Sequence, residues 1–291
     1  MPLDQRNKRL DSLTTNEVQE GNSLWWTRNP MSYDWHDEIE APRFTSGWFD
    51  AIDSKFLLGS RLFATVQRPF DQIIPIDNLA GAKVLEIGCG MGLHTQTMVS
   101  AGANVTAVDL TPTAVEATTR RLALKGLRAR ILQCDAEKLP FGNGAFDFVW
   151  SWGVIHHSSR TARIVREIAR VLNKKGACRV MVYNREGMAA RVGLVRDHIL
   201  KAGFMHRTFE ETLYRSTDGF SARFYVREQF EDLFRAFFKD VSSMICGQES
   251  DAIPLPDPLR KWVVSLTPER YLRKAQARRG AFIFLKAADP E

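Results

Sequence analysis

Apolar and polar residues alternate along the chain with two different periods, and the change between them predicts where strands and helices lie. From residue 83 onward, short apolar runs alternate with segments in which apolar residues recur every three to four positions. The short runs predict buried strands and the longer segments predict amphipathic helices. The predicted strands are residues 83–87, 105–108, 129–134, 145–150 and 177–183, and the predicted helices are residues 93–101, 111–125 and 163–172. This alternation is typical of an α/β protein with a doubly wound parallel sheet.

The N-terminal part of the chain has a different pattern. Residues 1–20 are polar, and we expect them to be mobile. Aromatic residues are dense after them, and residues 47–70 have helical spacing. We therefore expect residues 1–75 to form an N-terminal extension and an aromatic-rich helical cap. The cap either packs on the core or also closes over a pocket and excludes water from it.

The main domain is expected to span residues 76–291, with inserted segments at residues 186–225 and 248–280. Apolar runs at residues 241–246 and 281–286 predict two closing strands. Together with the five earlier strands they predict a mostly parallel, seven-stranded sheet with an antiparallel C-terminal strand.

A glycine-rich turn follows the first predicted strand. The sequence reads Val-Leu-Glu-Ile-Gly-Cys-Gly-Met-Gly over residues 84–92 and continues into the helical pattern. A strand, a glycine turn and a helix in this order favour a cofactor site, because backbone N–H groups and a helix N-terminus converge there. Dinucleotide sites usually read G-x-G-x-x-G, whereas the third glycine here, Gly92, comes one residue early. A dehydrogenase-type turn or a simple tight turn is the alternative.

Acidic residues end the next strands. Asp109 ends the second predicted strand, where a carboxylate can accept hydrogen bonds from ribose hydroxyls, and nicotinamide enzymes place an acid similarly. Cys-Asp-Ala-Glu-Lys-Leu-Pro-Phe (134–141) follows the third strand, and Phe-Asp-Phe-Val-Trp-Ser (146–151) forms the fourth. We expect Asp147, within the fourth strand, to have a structural role.

These motifs resemble those of class I S-adenosylmethionine-dependent methyltransferases of the small-molecule type, and the resemblance covers residues 83–183. It implies that the Glu86 carboxylate faces the ammonium group of S-adenosylmethionine. It also implies that Asp135 binds the adenine amino group and that Ala136 offers a backbone N–H. The implied cofactor-binding residues are Glu86, Gly88, Cys89, Gly90, Gly92, Asp109, Leu110, Asp135, Ala136, Ser151 and Trp152.

Two adjacent histidines follow the fourth strand and are candidates for a general base. His156 and His157 come after the carboxyl end of that strand, where ligands bind in doubly wound sheets. Histidine can take a proton from a hydroxyl or an amine near neutral pH. His36, in the cap, is a further candidate. The alternative is that these histidines orient the backbone or shape the cofactor site.

The acceptor would contact aromatic side chains. The candidate substrate-binding residues are Trp25, Trp26, Tyr33, Trp152 and Tyr214, and the turn at residues 216–219 could form the far wall. If the acceptor is an alkene, aromatic faces would stabilise a developing carbocation and no base would be needed. If it is a hydroxyl or an amine, one of the histidines would act.

Composition and charge narrow the class of protein. The chain has 291 residues, 44% hydrophobic and 25% charged, without an apolar run of membrane-spanning length or a signal-peptide pattern. Its four cysteines form no C-x-x-C pair, so we expect a cytoplasmic protein with no metal site. The net charge is +6, and residues 260–279 hold seven cations against one acid.

A small-molecule acceptor is the preferred partner, and the oligomeric state is left open. The first alternative is an RNA methyltransferase that uses the basic segment at residues 260–279. The second is a non-catalytic cofactor-binding subunit, since cofactor motifs indicate binding rather than turnover.

Overall fold

The computed structural model describes residues 10–32 and 39–291 and places their strands in one sheet. The strands are β1 (Lys83–Ile87), β2 (Asn104–Asp109), β3 (Arg130–Gln133), β4 (Phe146–Trp152), β5 (Leu172–Asn184), β6 (Phe224–Tyr225), β7 (Phe238–Cys246) and β8 (Phe282–Pro290). Their order is β3-β2-β1-β4-β5-β8-β7, and β6 pairs with β5 outside this path. Neighbouring strands from β3 to β5 are parallel, and β8 is antiparallel to both β5 and β7. The predicted fold is thereby confirmed, with the two-residue β6 added.

Helices pack against the sheet, and further helices precede β1 and lie between β7 and β8. They are α1 (Thr15–Arg28), α2 (Ser46–Ala64), α3 (Leu93–Ser100), α4 (Pro112–Leu124), α5 (Thr161–Val171), α6 (Met188–Leu194), α7 (Phe209–Arg215), α8 (Arg227–Arg235), α9 (Glu249–Ala252), α10 (Leu259–Leu266) and α11 (Glu269–Arg279). The start of α4 shows why the pattern was readable. The Thr111 side chain accepts a hydrogen bond from the Ala114 N–H at 3.3 Å, and proline occupies the first helical position.

Both faces of the sheet are buried, as the alternation of side chains in β4 shows. Phe148 and Trp150 join one apolar cluster, whereas Val149, between them, joins the cluster on the other face. The Asp147 carboxylate accepts hydrogen bonds from the Lys83 N–H at 2.7 Å and from the Asn173 amide at 2.6 Å. Its predicted structural role is confirmed, since it connects β4 to its two neighbours.

The prediction of a mobile N-terminus was wrong for residues 15–20, which belong to α1. A capping box starts this helix: the Thr14 hydroxyl accepts the Glu17 N–H at 3.2 Å, and the Glu17 carboxylate accepts the Thr14 N–H at 2.8 Å. These reciprocal bonds satisfy two backbone groups that a helix start leaves without partners. The Thr-x-x-Glu spacing was present in the sequence and would have identified the helix.

Two predicted helix ends were also wrong. The helix at residues 47–70 ends at Ala64, because the Asp71 carboxylate accepts the N–H groups of Val66, Gln67 and Arg68 at 3.0–3.2 Å and folds this segment into a turn. The helix predicted to end at residue 172 ends at Val171, and β5 starts at Leu172 instead of residue 177. The pairing of β5 with β4 begins at Leu172 and ends the helix there.

A buried ion pair joins α2 to the sheet domain. Arg121 of α4 is 1% exposed and binds the Asp53 carboxylate of α2 with both terminal nitrogens. Its Nε donates to the Gln96 side chain at 2.8 Å, and Nη1 also donates to the Met91 carbonyl at 3.3 Å. The guanidinium therefore ties the cap helix to the loop that precedes α3. The division at residue 75 stays a prediction.

We expect Asp53→Asn to lower the free energy of unfolding by about 3 kcal/mol, because it leaves the buried Arg121 charge without its partner. The double variant Asp53→Asn/Arg121→Met should recover part of this loss. Chemical denaturation measures both values. Glu116→Gln is the control, since Glu116 pairs with Arg120 on an exposed face and the change should cost less than about 1 kcal/mol. Equal losses in Asp53→Asn and Glu116→Gln would contradict the structural role.

Candidate functional site

A cavity of about 310 Å³ opens at the carboxyl ends of the parallel strands. Ile87 at the end of β1, Asp109 at the end of β2 and Trp152 at the end of β4 all line it. This is the edge of a doubly wound sheet where ligands bind, and the volume lies within the range of small-molecule sites.

The glycine turn forms the floor of the cavity. Gly88, Gly90 and Gly92 all have positive φ angles, of 82°, 50° and 80°. A Cβ built on Gly90 would meet no atom within 4 Å, whereas one on Gly88 would lie 2.1 Å from the Val154 side chain. The open space at Gly90 thus lets a ligand approach the backbone closely, and Gly88 is required by packing.

The two acids near this turn have different positions. The Asp109 carboxylate lines the cavity and accepts the Gly90 N–H at 3.1 Å and the Thr111 N–H and hydroxyl at 2.9 Å. It therefore connects the glycine turn to the start of α4. Burial raises the pKa of Asp109, and the hydrogen bonds to its carboxylate act in the opposite direction.

Glu86 lies beneath the glycine turn and is not among the residues that line the cavity. It is 1% exposed, its carboxylate accepts a hydrogen bond from the Thr95 hydroxyl, and His94 Nδ1 lies 3.9 Å away. Burial raises the pKa of Glu86 to about 8. The predicted contact of Glu86 with the ammonium group of a cofactor stays a prediction. The geometry gives Glu86 a structural role beneath the glycine turn.

Helix α1, whose first residues are predicted from the sequence to be mobile, covers part of the cavity. Its residues Gln19, Asn22 and Trp26 line the cavity. The Gln19 amide donates to the Asp135 carboxylate at 3.0 Å, and the Asn22 amide donates to the His157 carbonyl at 2.6 Å. The helix therefore contacts both the segment after β3 and the segment after β4.

The two adjacent histidines are placed differently. His157 lines the cavity, and its Nδ1 lies 2.9 Å from the Ser221 carbonyl, so Nδ1 carries the proton and donates it. Its Nε2 is buried and has no hydrogen-bond partner among the described residues. Burial lowers the pKa of His157 to about 4, while the bond to Ser221 acts the other way. The ring is therefore neutral near pH 7, with a lone pair on Nε2.

His156 is fully buried outside the cavity. The rings of Tyr183 and His157 pack on it, with centroids 4.1 and 4.3 Å away. Burial lowers the pKa of His156 well below its ordinary value. This placement gives no support to the prediction of His156 as a general base, because the neighbouring rings separate it from the cavity.

Aromatic side chains form much of the remaining wall. Trp152 stacks on Phe63 at 5.7 Å between ring centroids, and Trp26 meets the His157 ring edge-on at 5.1 Å. Tyr183 and Phe282 line the cavity beside them. The polar residues Ser60, Asp218 and Gln248 also line the cavity, and Ser60 and Gln248 come from segments far from the motifs in sequence.

The structure brings most of the predicted site residues together. Those that line the cavity are Gly88, Cys89, Gly90, Gly92, Asp109, Leu110, Asp135, Ala136, Trp152, Trp26 and His157. Ser151 lies behind it and donates its hydroxyl to the Ile87 carbonyl at 3.1 Å. Trp25 is not among the lining residues, and Tyr214 packs against the apolar cluster of Ala190, Leu213 and Phe224. Tyr33 and His36 lie outside the described residues.

Comparison with known proteins gives a consistent picture. Residues 85–180 match the family described as "Methyltransferase domain". An uncharacterised protein of Mycobacterium tuberculosis is 30% identical over 185 residues, which are 62% of this chain and 62% of that protein. The ubiquinone biosynthesis O-methyltransferase of Xanthomonas oryzae is 32% identical over 123 residues, which are 40% of this chain and 50% of that enzyme. The chain thus spans between half and two thirds of the length of these relatives.

A solved structure shares the fold. It is phosphoethanolamine N-methyltransferase 2 of Haemonchus contortus in complex with phosphomonomethylethanolamine and S-adenosylhomocysteine. The superposition has a TM-score of 0.55 and 17% sequence identity, and it covers 97% of this chain and 61% of that one.

We expect Gly90→Val to weaken the binding of S-adenosylhomocysteine by more than about a hundredfold, measured by titration calorimetry. The new side chain would enter the cavity and would also force valine into a left-handed backbone conformation. Gly126→Val is the matched control, because Gly126 also has a positive φ and open space around its Cα but does not line the cavity. Unchanged affinity in Gly90→Val would exclude this turn as the cofactor site.

The buried histidines predict a loss of stability in mild acid. Burial lowers the pKa of His94 to about 3 and that of His157 to about 4, from an ordinary value of 6.5. Below pH 6.5 the unfolded chain binds protons at these histidines that the folded protein excludes, so the histidines lower the free energy of unfolding as the pH falls. The raised pKa of Glu86 contributes in the opposite direction, which is why the test compares variants at the histidine positions. At pH 5 the lowered pKa of each histidine should reduce the free energy of unfolding by about 2 kcal/mol.

Urea denaturation at pH 7.5 and pH 5.0 measures this difference. His94→Asn should reduce the difference by about 2 kcal/mol, whereas His206→Asn, at an exposed position, should leave it unchanged. Equal pH dependence in wild type and His94→Asn would contradict the prediction.

Proposed function

We propose that the chain is a class I S-adenosylmethionine-dependent methyltransferase and that it transfers a methyl group from S-adenosylmethionine to an oxygen atom of a small-molecule acceptor. The matched methyltransferase domain and the sheet with its antiparallel last strand support the family and the cofactor that the sequence predicted. The class of acceptor and the accepting atom are what the proposal adds.

One observation carries the proposal: His157, which lines the same cavity as the glycine turn, has a neutral ring with one buried, unpartnered nitrogen. His157 Nε2 is buried without a partner among the described residues, and Gly90 and Asp109 line the same space. A buried polar atom without a partner costs free energy, so its persistence favours a functional role. A neutral histidine is the side chain best suited to accept a proton from a hydroxyl.

The residues of the other half of the cavity fit the cofactor. Gly90 leaves room for close approach, and the Asp109 and Asp135 carboxylates lie on the same wall. Asp109 and Asp135 would hold the ribose and adenine groups by accepting hydrogen bonds. S-adenosylmethionine, when bound, supplies a methyl group on a sulfonium sulfur, which a nucleophile can displace in line.

The chain's own part in the reaction is proton transfer and positioning. His157 Nε2 would accept the proton of the acceptor hydroxyl as the oxygen forms its bond to the methyl carbon and the carbon–sulfur bond breaks. The Nδ1–H bond to the Ser221 carbonyl holds the ring in the tautomer that leaves Nε2 free to accept. Trp152, Tyr183 and Phe282 would enclose the acceptor and exclude water.

The name of a relative supports oxygen as the accepting atom. The protein of Xanthomonas oryzae that matches over 123 residues is an O-methyltransferase. The aromatic wall would also suit an acceptor that develops positive charge, but such an acceptor would not require the unpartnered nitrogen of His157.

The basic segment gives little support to the RNA alternative. Arg260 pairs with Asp257 at 2.9 Å, and Arg273 pairs with Glu269 and donates to the Leu62 carbonyl at 2.6 Å. Arg273 thus attaches α11 to the cap, and Arg260 is paired within its own segment, which leaves fewer cations for phosphate contacts. A non-catalytic cofactor-binding subunit is the weaker alternative. Such a subunit would not need a half of the cavity that holds an acceptor next to a general base.

The test is incubation with methyl-labelled S-adenosylmethionine and separate panels of phenols, other hydroxylated metabolites and amines. Mass spectrometry would detect the addition of one labelled methyl group, and a hydroxyl-bearing product supports the proposal. Labelling of amines alone, or of tRNA in place of small molecules, would overturn it. If the cofactor binds and no panel is labelled, the cofactor-binding subunit is the better description.

We expect His157→Gln to lower kcat by about a hundredfold or more while the affinity for S-adenosylhomocysteine stays within about twofold. The wild-type rate should stay level from pH 8 to pH 6, because the pKa of His157 lies near 4. His198→Gln is the control, since His198 bonds to the Thr212 hydroxyl and does not line the cavity. Full activity in His157→Gln would show that His157 is not the general base.

A further inference from the structure

Seven large apolar side chains are exposed in one stretch of the segment that follows β5. We name this set the apolar ridge: Val192, Val195, Ile199, Leu200, Phe204, Met205 and Phe209. Leu200 is 76% exposed and Met205 is 66% exposed. A concentration of this kind marks an interaction site more often than scattered single exposures do.

The segment has a second apolar side that is already in use. Ala190 and Leu194 of α6 pack into a cluster with Leu213 of α7. Val192, Val195 and Ile199 follow a spacing of three and four residues on another side of the same segment and stay exposed. Within the described residues, the chain therefore covers one side of this segment and leaves the other side exposed.

Cations surround the apolar ridge. Between residues 185 and 209 the sequence has five Lys or Arg residues and two acids. Arg196 and Lys201 share the carboxylate of Asp197, and Arg185 pairs with Glu210, so part of this positive charge is compensated. A second cavity, of about 550 Å³, lies beside the ridge and is lined by Arg196, Lys201, His206 and Arg207 together with Asp197. This surface therefore combines exposed apolar side chains with an excess of positive charge.

We propose that the apolar ridge docks on an anionic phospholipid bilayer. Apolar side chains enter the boundary between headgroups and acyl chains, and Lys and Arg side chains stay at the level of the phosphates. The surplus of cations suits the negative surface of such a bilayer. An RNA would contact the cations but gain nothing from exposed leucine and isoleucine, and an apolar protein partner would not need the cations.

The contact is peripheral. No helix within residues 10–32 and 39–291 has both the length and the apolarity needed to cross a bilayer. Asp218 lines both the second cavity and the cavity that contains the glycine turn, so the ridge lies beside the acceptor half of the site. An amphipathic acceptor taken from the bilayer would fit this arrangement, and this last step alone rests on the proposed function.

Sedimentation of the full-length protein with vesicles tests the docking without cofactor or acceptor, so its outcome is independent of methyl transfer. The vesicles are phosphatidylcholine alone or phosphatidylcholine with phosphatidylglycerol. We expect binding to the anionic vesicles only, weakened by high salt. Leu200→Glu should reduce this binding by about tenfold or more, and Arg207→Gln by about fivefold.

Leu124→Glu is the matched control, because Leu124 is 50% exposed at the end of α4 and lies outside the ridge. Thermal unfolding followed by circular dichroism would show that all the variants are folded. Equal binding by Leu200→Glu and wild type overturns the proposal, as does equal binding to both kinds of vesicle. A wild-type dimer that Leu200→Glu converts to a monomer, or an RNA oligonucleotide bound in preference to vesicles, would assign the ridge to that partner and also overturn it.

Discussion

The covering of the parallel sheet on both faces is the constraint on which the rest of the structure depends. Because the side chains of β4 enter apolar clusters alternately on both faces, a ligand-binding site has no room in the middle of the sheet. It is confined to the strand ends, where the chain turns and backbone groups are left without partners. Asp109 and the glycine turn use this position, and the carboxylate connects the two strand ends by accepting the Gly90 N–H.

The parts of the fold that local chemistry determines could be predicted from the sequence. The strand at Lys83–Ile87 was predicted with the correct ends, because an apolar run there meets a glycine turn. The start of α4 was readable from Thr111 and Pro112. Helix ends set by distant partners were not readable, as the end of α5 shows, where Leu172 begins to pair with Phe146 of β4.

The same distinction applies to the site. The glycines and acids of the cofactor half lie next to strand ends in the sequence, so a motif identifies them. The acceptor half is assembled from α1, α2 and the segments after β5 and β7, and residues such as Asn22, Ser60 and Gln248 carry no local sign of their position. His157 lines the cavity and His156 does not, because Tyr183 packs on the His156 ring while His157 bonds to the Ser221 carbonyl. Two adjacent positions in a sequence cannot reveal this difference.

Helix α1 has a consequence for ligand exchange. Its Gln19 bonds to Asp135 and its Asn22 bonds to the backbone of His157, so the helix bridges the two halves of the cavity from above. If Asp135 holds the nucleoside as proposed, that nucleoside would compete with Gln19 for the same carboxylate. A sequence change in α1 would then alter the residence time of the ligand without touching the reacting atoms.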